Sequence, residues 1–225
     1  MKPNVAIQMP EVTISRALNA IVRTIRDDLQ YDTDKDKTNT ILFRLLGLNA
    51  DEKPVRMNAY NYFKQACRMF ENPDNMKVYI GYNMSVTTGI AMHIILPGEQ
   101  FSSEPLGAGQ DWNPNIADFE YSQFYDATYQ ILITSDNSNE AMVTYNVMKA
   151  MLLMFVPNLD IAGLMNPKLS GGDIIMQGDI VPPTIFHKAL TLSFQYQLTV
   201  PSRIYAQAVK KLAYNYSVIS DEIEF

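Results

Sequence analysis

The chain has 225 residues, of which 47% are hydrophobic, and a formal net charge of −6. That length fits one large domain or at most two small ones, and the apolar share excludes wholesale disorder. The acidic balance opposes non-specific binding to duplex nucleic acid, which needs clustered Lys and Arg.

Residues 1–11 read as an irregular arm carrying Pro3 and Pro10. A strong helix follows. Val12, Ile14, Leu18, Ile21, Val22, Ile25 and Leu29 recur at steps of three and four, and Arg16, Arg23, Arg26 and Asp27 fall on the other face. The helix should end near Tyr31, where the charged turn 32–39 begins. Ile41, Leu42, Leu45 and Leu46 predict a short amphipathic helix stopped by Gly47. A second short helix carries Tyr60, Phe63, Cys67 and Phe70 on one face, and Asn72-Pro73-Asp74-Asn75 ends it.

The sheet begins with Val78, Ile80 and Tyr82. Asn83-Met84-Ser85 reads as a hairpin connection, and a return strand runs through Val86, Ile90, Met92, Ile94 and Leu96. Pro97-Gly98 closes it, and residues 97–119 form the longest irregular stretch. Tyr125, Ala127, Tyr129, Ile131 and Ile133 then alternate with polar residues, a half-buried strand. Asn137 offers an N-cap with Glu140 three residues later, opening a helix to Phe155 that Pro157 ends. Residues 158–188 read as a second irregular region with a short edge strand at Ile174, Ile175 and Met176. Leu190, Leu192, Phe194, Tyr196, Leu198 and Val200 alternate strictly with Thr191, Ser193, Gln195, Gln197 and Thr199. A C-terminal helix spans Arg203 to Ala213, and a tail follows.

This order predicts a single α+β domain over 1–225, with an antiparallel-rich sheet, helices packed on one face and long irregular loops. Its parts are the arm (1–11), a helical section (12–75), the sheet with its capped helix (76–200) and the C-terminal helix and tail (201–225). The polar faces of the two long strands are expected to meet water or a lumen.

Enzyme chemistry needs a constellation, and none of the familiar ones is spelled out. His93 and His187 are the only histidines. There is no GxSxG, Walker A or GxGxxG sequence. Asp32, Asp34 and Asp36 mimic the start of a calcium loop, but Lys37 stands where Gly is needed and Phe43 where Glu is needed. An unfamiliar catalytic site would draw on Asp111, Asp118, Asp179 and His187, whose spacing supports no acid–base pairing. No catalytic activity, cofactor or metal is expected. Cys67 is the only cysteine, which excludes intrachain disulfides and suits a reducing compartment. The N-terminus lacks a signal-peptide run, and the longest apolar run, 150–156, is too short for a bilayer, so no membrane association is expected.

The 13 Tyr, 10 Phe and 13 Met suit surfaces buried against other proteins as well as a core. Candidate subunit-contact residues are Phe101, Trp112 and Phe119 in the long loop and Tyr214 and Tyr216 near the C-terminus.

The order of segments carries a resemblance. A strand from Tyr125 to Ser135 leads through a polar turn into a capped helix, Asn139 to Phe155, then a Gly/Pro-bearing stretch and the strand Ala189 to Val200. A long N-terminal helix and the hairpin around Val78 to Leu96 precede them. This order resembles the tail terminator and tail completion (neck) proteins of tailed bacteriophages. The resemblance implies a structural virion protein, assembled in the host cytoplasm. It implies a homo-oligomeric closed ring, commonly sixfold, between the head-to-tail connector and the tail tube. Its partners would be copies of itself and other tail or neck proteins, with DNA passing through the lumen without specific binding. The alternative reading is a non-catalytic ligand- or peptide-binding module with a Tyr/Met-rich pocket.

Overall fold

A computed structural model describes residues 9–34, 36–46, 57–83, 89–102, 120–173 and 185–201. Helix α1 spans Pro10–Tyr31, two residues longer at its start than the apolar period indicates. Pro10 is the reason. Its fixed φ suits the first helical position, where no N–H partner is needed, and its ring is buried. Ile14, Leu18, Ile21, Val22, Ile25 and Leu29 form the buried face.

Arg26 does not face solvent as its place in the helical period suggests. Its guanidinium donates to the carbonyls of Phe70 (2.8 Å), Asn72 (3.0 Å) and Asn75 (3.0 Å). It thereby holds the C-terminal end of α3 (Met57–Glu71) and the turn into β1. The turn after α1 is knit by its own side chains. Asp34 N–H donates to Asp32, Asp36 N–H donates to Asp34, and Lys37 Nζ donates to the Leu29 and Asp32 carbonyls. Thr40 then caps the short helix α2 (Ile41–Leu45).

Among the described residues the sheet has five strands in the order β1-β2-β3-β5-β4: β1 Lys77–Ile80, β2 Ala91–Phe101, β3 Glu120–Ser135, β4 Met165–Asp173 and β5 Phe186–Pro201. The fold is α+β and mostly antiparallel. The expected hairpin between Val78 and Leu96 is overturned, because β1 and β2 pair in parallel, Lys77 with Ala91 and Ile80 with Ile94. Alternation is blind to strand direction. In this register Val78 and Met92 share the helix-facing side, while Tyr79 lies beside His93 on the other. Pro97-Gly98 does not end β2 either. The strand bulges between Ile95 and Gly98 and resumes to Phe101, and a bulge tolerates a residue with no N–H to give.

β3 and β5 pair without a break from Glu120↔Pro201 to Ser135↔Phe186. Helix α4 spans Ser138–Ile161 and runs through Pro157, which does not end it. The Leu153 carbonyl loses its intrahelical donor there, but Leu153 is 65% exposed, so water reaches that side. Beyond the proline, Leu159 returns to the core. Asn137 is the N-cap as expected, accepting from Asn139 N–H. Glu140 accepts from the Ser135 hydroxyl, which in turn accepts from Asn137 N–H, so the capping box closes through a serine relay.

β4 is the element that sequence reading missed. Residues 165–173 carry Pro167, Gly171 and Gly172 and show no alternation, yet they form an edge strand on β5. The stretches 158–161 and 186–188 are likewise regular, not irregular. The predicted edge strand at 174–176, the C-terminal helix at 203–213 and the tail lie outside the described residues.

One hydrophobic cluster joins the helices to one face of the sheet. α1 packs on β1 and β2, α4 packs on β3, β5 and β4, and α3 rests on α1 and α4. Gly171 marks the tightest contact. A Cβ there would lie 2.7 Å from the Ala189 carbonyl oxygen and 2.6 Å from the Tyr145 hydroxyl. Gly171→Ala is therefore expected to lower the unfolding free energy by about 1–3 kcal/mol, read from the urea midpoint.

Candidate functional site

The sheet face away from the helices carries the features that could meet a partner. Down its centre Thr128, Gln130, Thr191, Ser193 and Gln195 stand on β3 and β5, a polar row where the opposite face is apolar. The row is internally bonded. Thr128 and Ser193 hydroxyls lie 3.2 Å apart, and Gln195 Nε2 donates to Ser102 (2.8 Å) and Asp126 (3.2 Å). Lys168 and Asn166 on β4 join Asp126, Thr128, Ser193 and Gln195 around a shallow groove of about 320 Å³.

At the other end of this face lie both histidines, which the sequence presents as unrelated. His187 sits opposite Thr134 on β3, and His93 sits opposite Leu132. Tyr79 stacks on the His93 ring at 5.4 Å and Tyr82 leans on it at 5.0 Å. Asn83 N–H donates to His93 Nδ1 (3.2 Å), and Thr134 Oγ1 lies 3.4 Å from Nε2. The two ring nitrogens of His187 are buried and have no hydrogen-bond partner among the described residues. Burial holds the His93 imidazole below the usual histidine range, with a smaller push the same way from His187. Burial alone does so for His187. Among the described residues no three His, Cys, Asp or Glu side chains are grouped to hold a metal.

A second groove, about 560 Å³, runs between α3 and the start of α4, lined by Lys64, Arg68, Asn72, Asn75 and Glu140 among others. Both grooves are polar; neither matches a Tyr/Met-rich pocket. Cys67 on α3 is half-buried, and burial followed by the nearby Glu71 charge pushes its thiol up to about 11, so it is not a reactive nucleophile at neutral pH.

Of the candidate contact residues, Phe101 is described. It lies on β2, not in a loop, and is 59% exposed. Trp112, Phe119, Tyr214 and Tyr216 lie outside the described residues, as do Asp111, Asp118 and Asp179. Sequence reading missed a further apolar surface on α4, where Leu153, Met154 and Ile161 are exposed. The signal for it is in the letters: α4 is apolar on nearly every side, so one buried stripe cannot account for it. By length and composition α4 would also cross a bilayer, and 39% of its most apolar window is buried in the fold.

No protein-family model matches the chain, and no curated protein matches its sequence.

The histidine cluster is expected to make the fold acid-sensitive. The unfolded chain takes up protons at both rings below about pH 6.5. The fold, holding both rings neutral, takes them up only at lower pH. Its stability is thus full above that point and falls as pH drops through it. Urea unfolding at pH 5 is expected to show a lower midpoint than at pH 7.5. His187→Phe should narrow that gap while staying within about 1 kcal/mol of the parent at pH 7.5, since it deletes two unpartnered nitrogens. An unchanged gap would show that His187 is not the sensor.

Proposed function

We propose that this chain is a structural protein of a tailed-bacteriophage virion, closing with copies of itself into a ring at the head–tail neck or the top of the tail tube. The observation that carries the proposal is the two-sidedness of the sheet. Helices cover one face, while the other presents a bonded polar row of Thr, Ser and Gln along the β3–β5 pair. A neutral, hydrogen-bonded surface suits a lumen past which DNA slides, because it lacks the cation density that captures phosphates.

The sheet ends add support. β1 and β4 are edge strands, and a ring gives each edge an identical neighbour without open-ended growth. Of the elements on which the resemblance to tail terminator and neck proteins rests, the fold has the long first helix, the strand, the capped helix and the later strand, with β4 between the last two, but not the hairpin, since β1 and β2 pair in parallel. In this reading the chain turns over no substrate, needs no cofactor and meets other neck or tail proteins above and below.

Negative-stain electron microscopy of the purified chain is expected to show rings with a central hole, and native mass spectrometry a single closed oligomer. Duplex DNA should not be retarded in a gel-shift assay at physiological salt. A chain that stays monomeric at high concentration would end the proposal.

A further inference from the structure

Helix α4 is packed on one side and exposed on the other. Val147, Met148, Met151, Leu152 and Leu159 are buried, and the helix rests on α1, α3 and the sheet. Across its axis Leu153 is 65%, Met154 55% and Ile161 85% exposed, with Pro157 exposed between them. Steps of three and four residues align these four with the half-buried Ala150 in one stripe. The chain is described without a gap from 120 to 173, so both connections of α4 are among the elements that leave the stripe exposed. Single surface hydrophobes are ordinary, but a contiguous stripe marks a contact.

The charges beside the stripe tell what the contact is. Lys149 and Asp160 are both exposed and stand eleven residues apart. That spacing is about 16 Å along the helix and about 20° around it, so both lie on the same edge of the stripe. Lys149 makes no ion pair among the described residues, and its ammonium rests 5.6 Å from the Tyr145 ring centre. Asp160 Oδ1 accepts from Asn166 N–H (3.2 Å), which leaves its second oxygen for another donor. Two copies of a helix that meet in opposite directions across a two-fold axis bring like edges together. Lys149 of each copy then meets Asp160 of the other. A parallel meeting brings unlike edges together and leaves both charges without their opposites. The antiparallel register also sets Leu153 against Pro157, Ile161 against the small Ala150, and Met154 against its own copy near the axis. A lipid surface fits less well, because helices that lie in one carry Lys and Arg on the rim, and this rim carries one charge of each sign.

We infer that α4 is a self-recognition surface: two copies dock through the Ala150–Ile161 stripe, antiparallel across a two-fold axis, with Lys149 of each facing Asp160 of the other. The contact needs no ring. Where the sheet edges close a ring, the same two-fold joins two rings, so the inference goes beyond the ring reading and does not rest on it.

The test uses the full-length chain, sized by native mass spectrometry and by light scattering after gel filtration, with folding checked by circular dichroism melting. Leu153→Asp is expected to halve the mass of the assembly with an unchanged melting curve; should it fail to fold, Ile161→Asp takes its place. Lys149→Asp is expected to weaken the pairing about tenfold, because two like-charged pairs replace two opposite ones, and adding Asp160→Lys should restore it. In a Cys67→Ser background, Met154→Cys should be linked to its own copy by a short bismaleimide, since that position faces itself. A mass that both Leu153→Asp and Ile161→Asp leave unchanged overturns the inference and, if the assembly is a ring, spares the ring reading. A charge swap that does not restore pairing, or Met154→Cys chains that stay unlinked, overturns the antiparallel two-fold. A two-fold dimer with no larger assembly supports the inference and ends the ring reading, while a monomeric wild type removes both. Flotation with phosphatidylcholine vesicles that Leu153→Asp abolishes, with the mass unchanged, assigns the stripe to a lipid surface and overturns the inference.

Discussion

The unbroken antiparallel ladder between β3 and β5 is the constraint from which the rest of the structure follows. It sits in the middle of the sheet, with β2 on one flank and β4 on the other. Its alternation sorts side chains without ambiguity. Ala127, Tyr129, Ile131 and Ile133 meet Leu190, Leu192 and Phe194 on the helix side, and Thr128, Gln130, Thr191 and Ser193 fall together on the other. A slip of one residue would exchange the two sets, burying hydroxyls and amides and exposing the core. The helical layer has to lie on one face only, and the polar row on the opposite face is a direct product of the register.

Legibility in the sequence tracked the strength of periodic burial. α1, β3, β5 and the cap of α4 were readable because each has one face in the core and one outside, so period and burial coincide. Where that coincidence fails, reading failed. β4 lies at an edge with most of its residues exposed; its Gly171 answers to close packing with Tyr145, and its Pro167 sits in the bulge between Met165 and Lys168. Alternation does not record the direction of β1, which runs parallel to β2. Pro157 looked like a stop because a helix interior resists proline, yet the tertiary seat of Leu159 outweighs one lost hydrogen bond.

The sites were less legible than the elements, for a related reason. Their members are far apart in the chain. His93 and His187 come from β2 and β5 and meet through pairing with a third strand. Arg26 reads as a surface residue of α1 until the end of α3 is brought against it. Of the contact residues proposed from the letters, Phe101 is exposed and belongs to a strand, not a loop, and the unforeseen apolar surface of α4 lies in a segment read only as core.

The central ladder also sets the order in which the molecule can be made. β3 can pair with β2 soon after residue 135 is synthesised, but its other margin waits for β5, whose last paired residue is 201. β4 is held in the sheet by β5 alone, so it too has no partner until then. Every residue up to the end of β5 must leave the ribosome before the middle of the sheet closes. Long-range pairing of that kind is slow, and the nascent chain carries an open, apolar strand margin throughout. The fold thus places its greatest exposure to misassembly late in biogenesis.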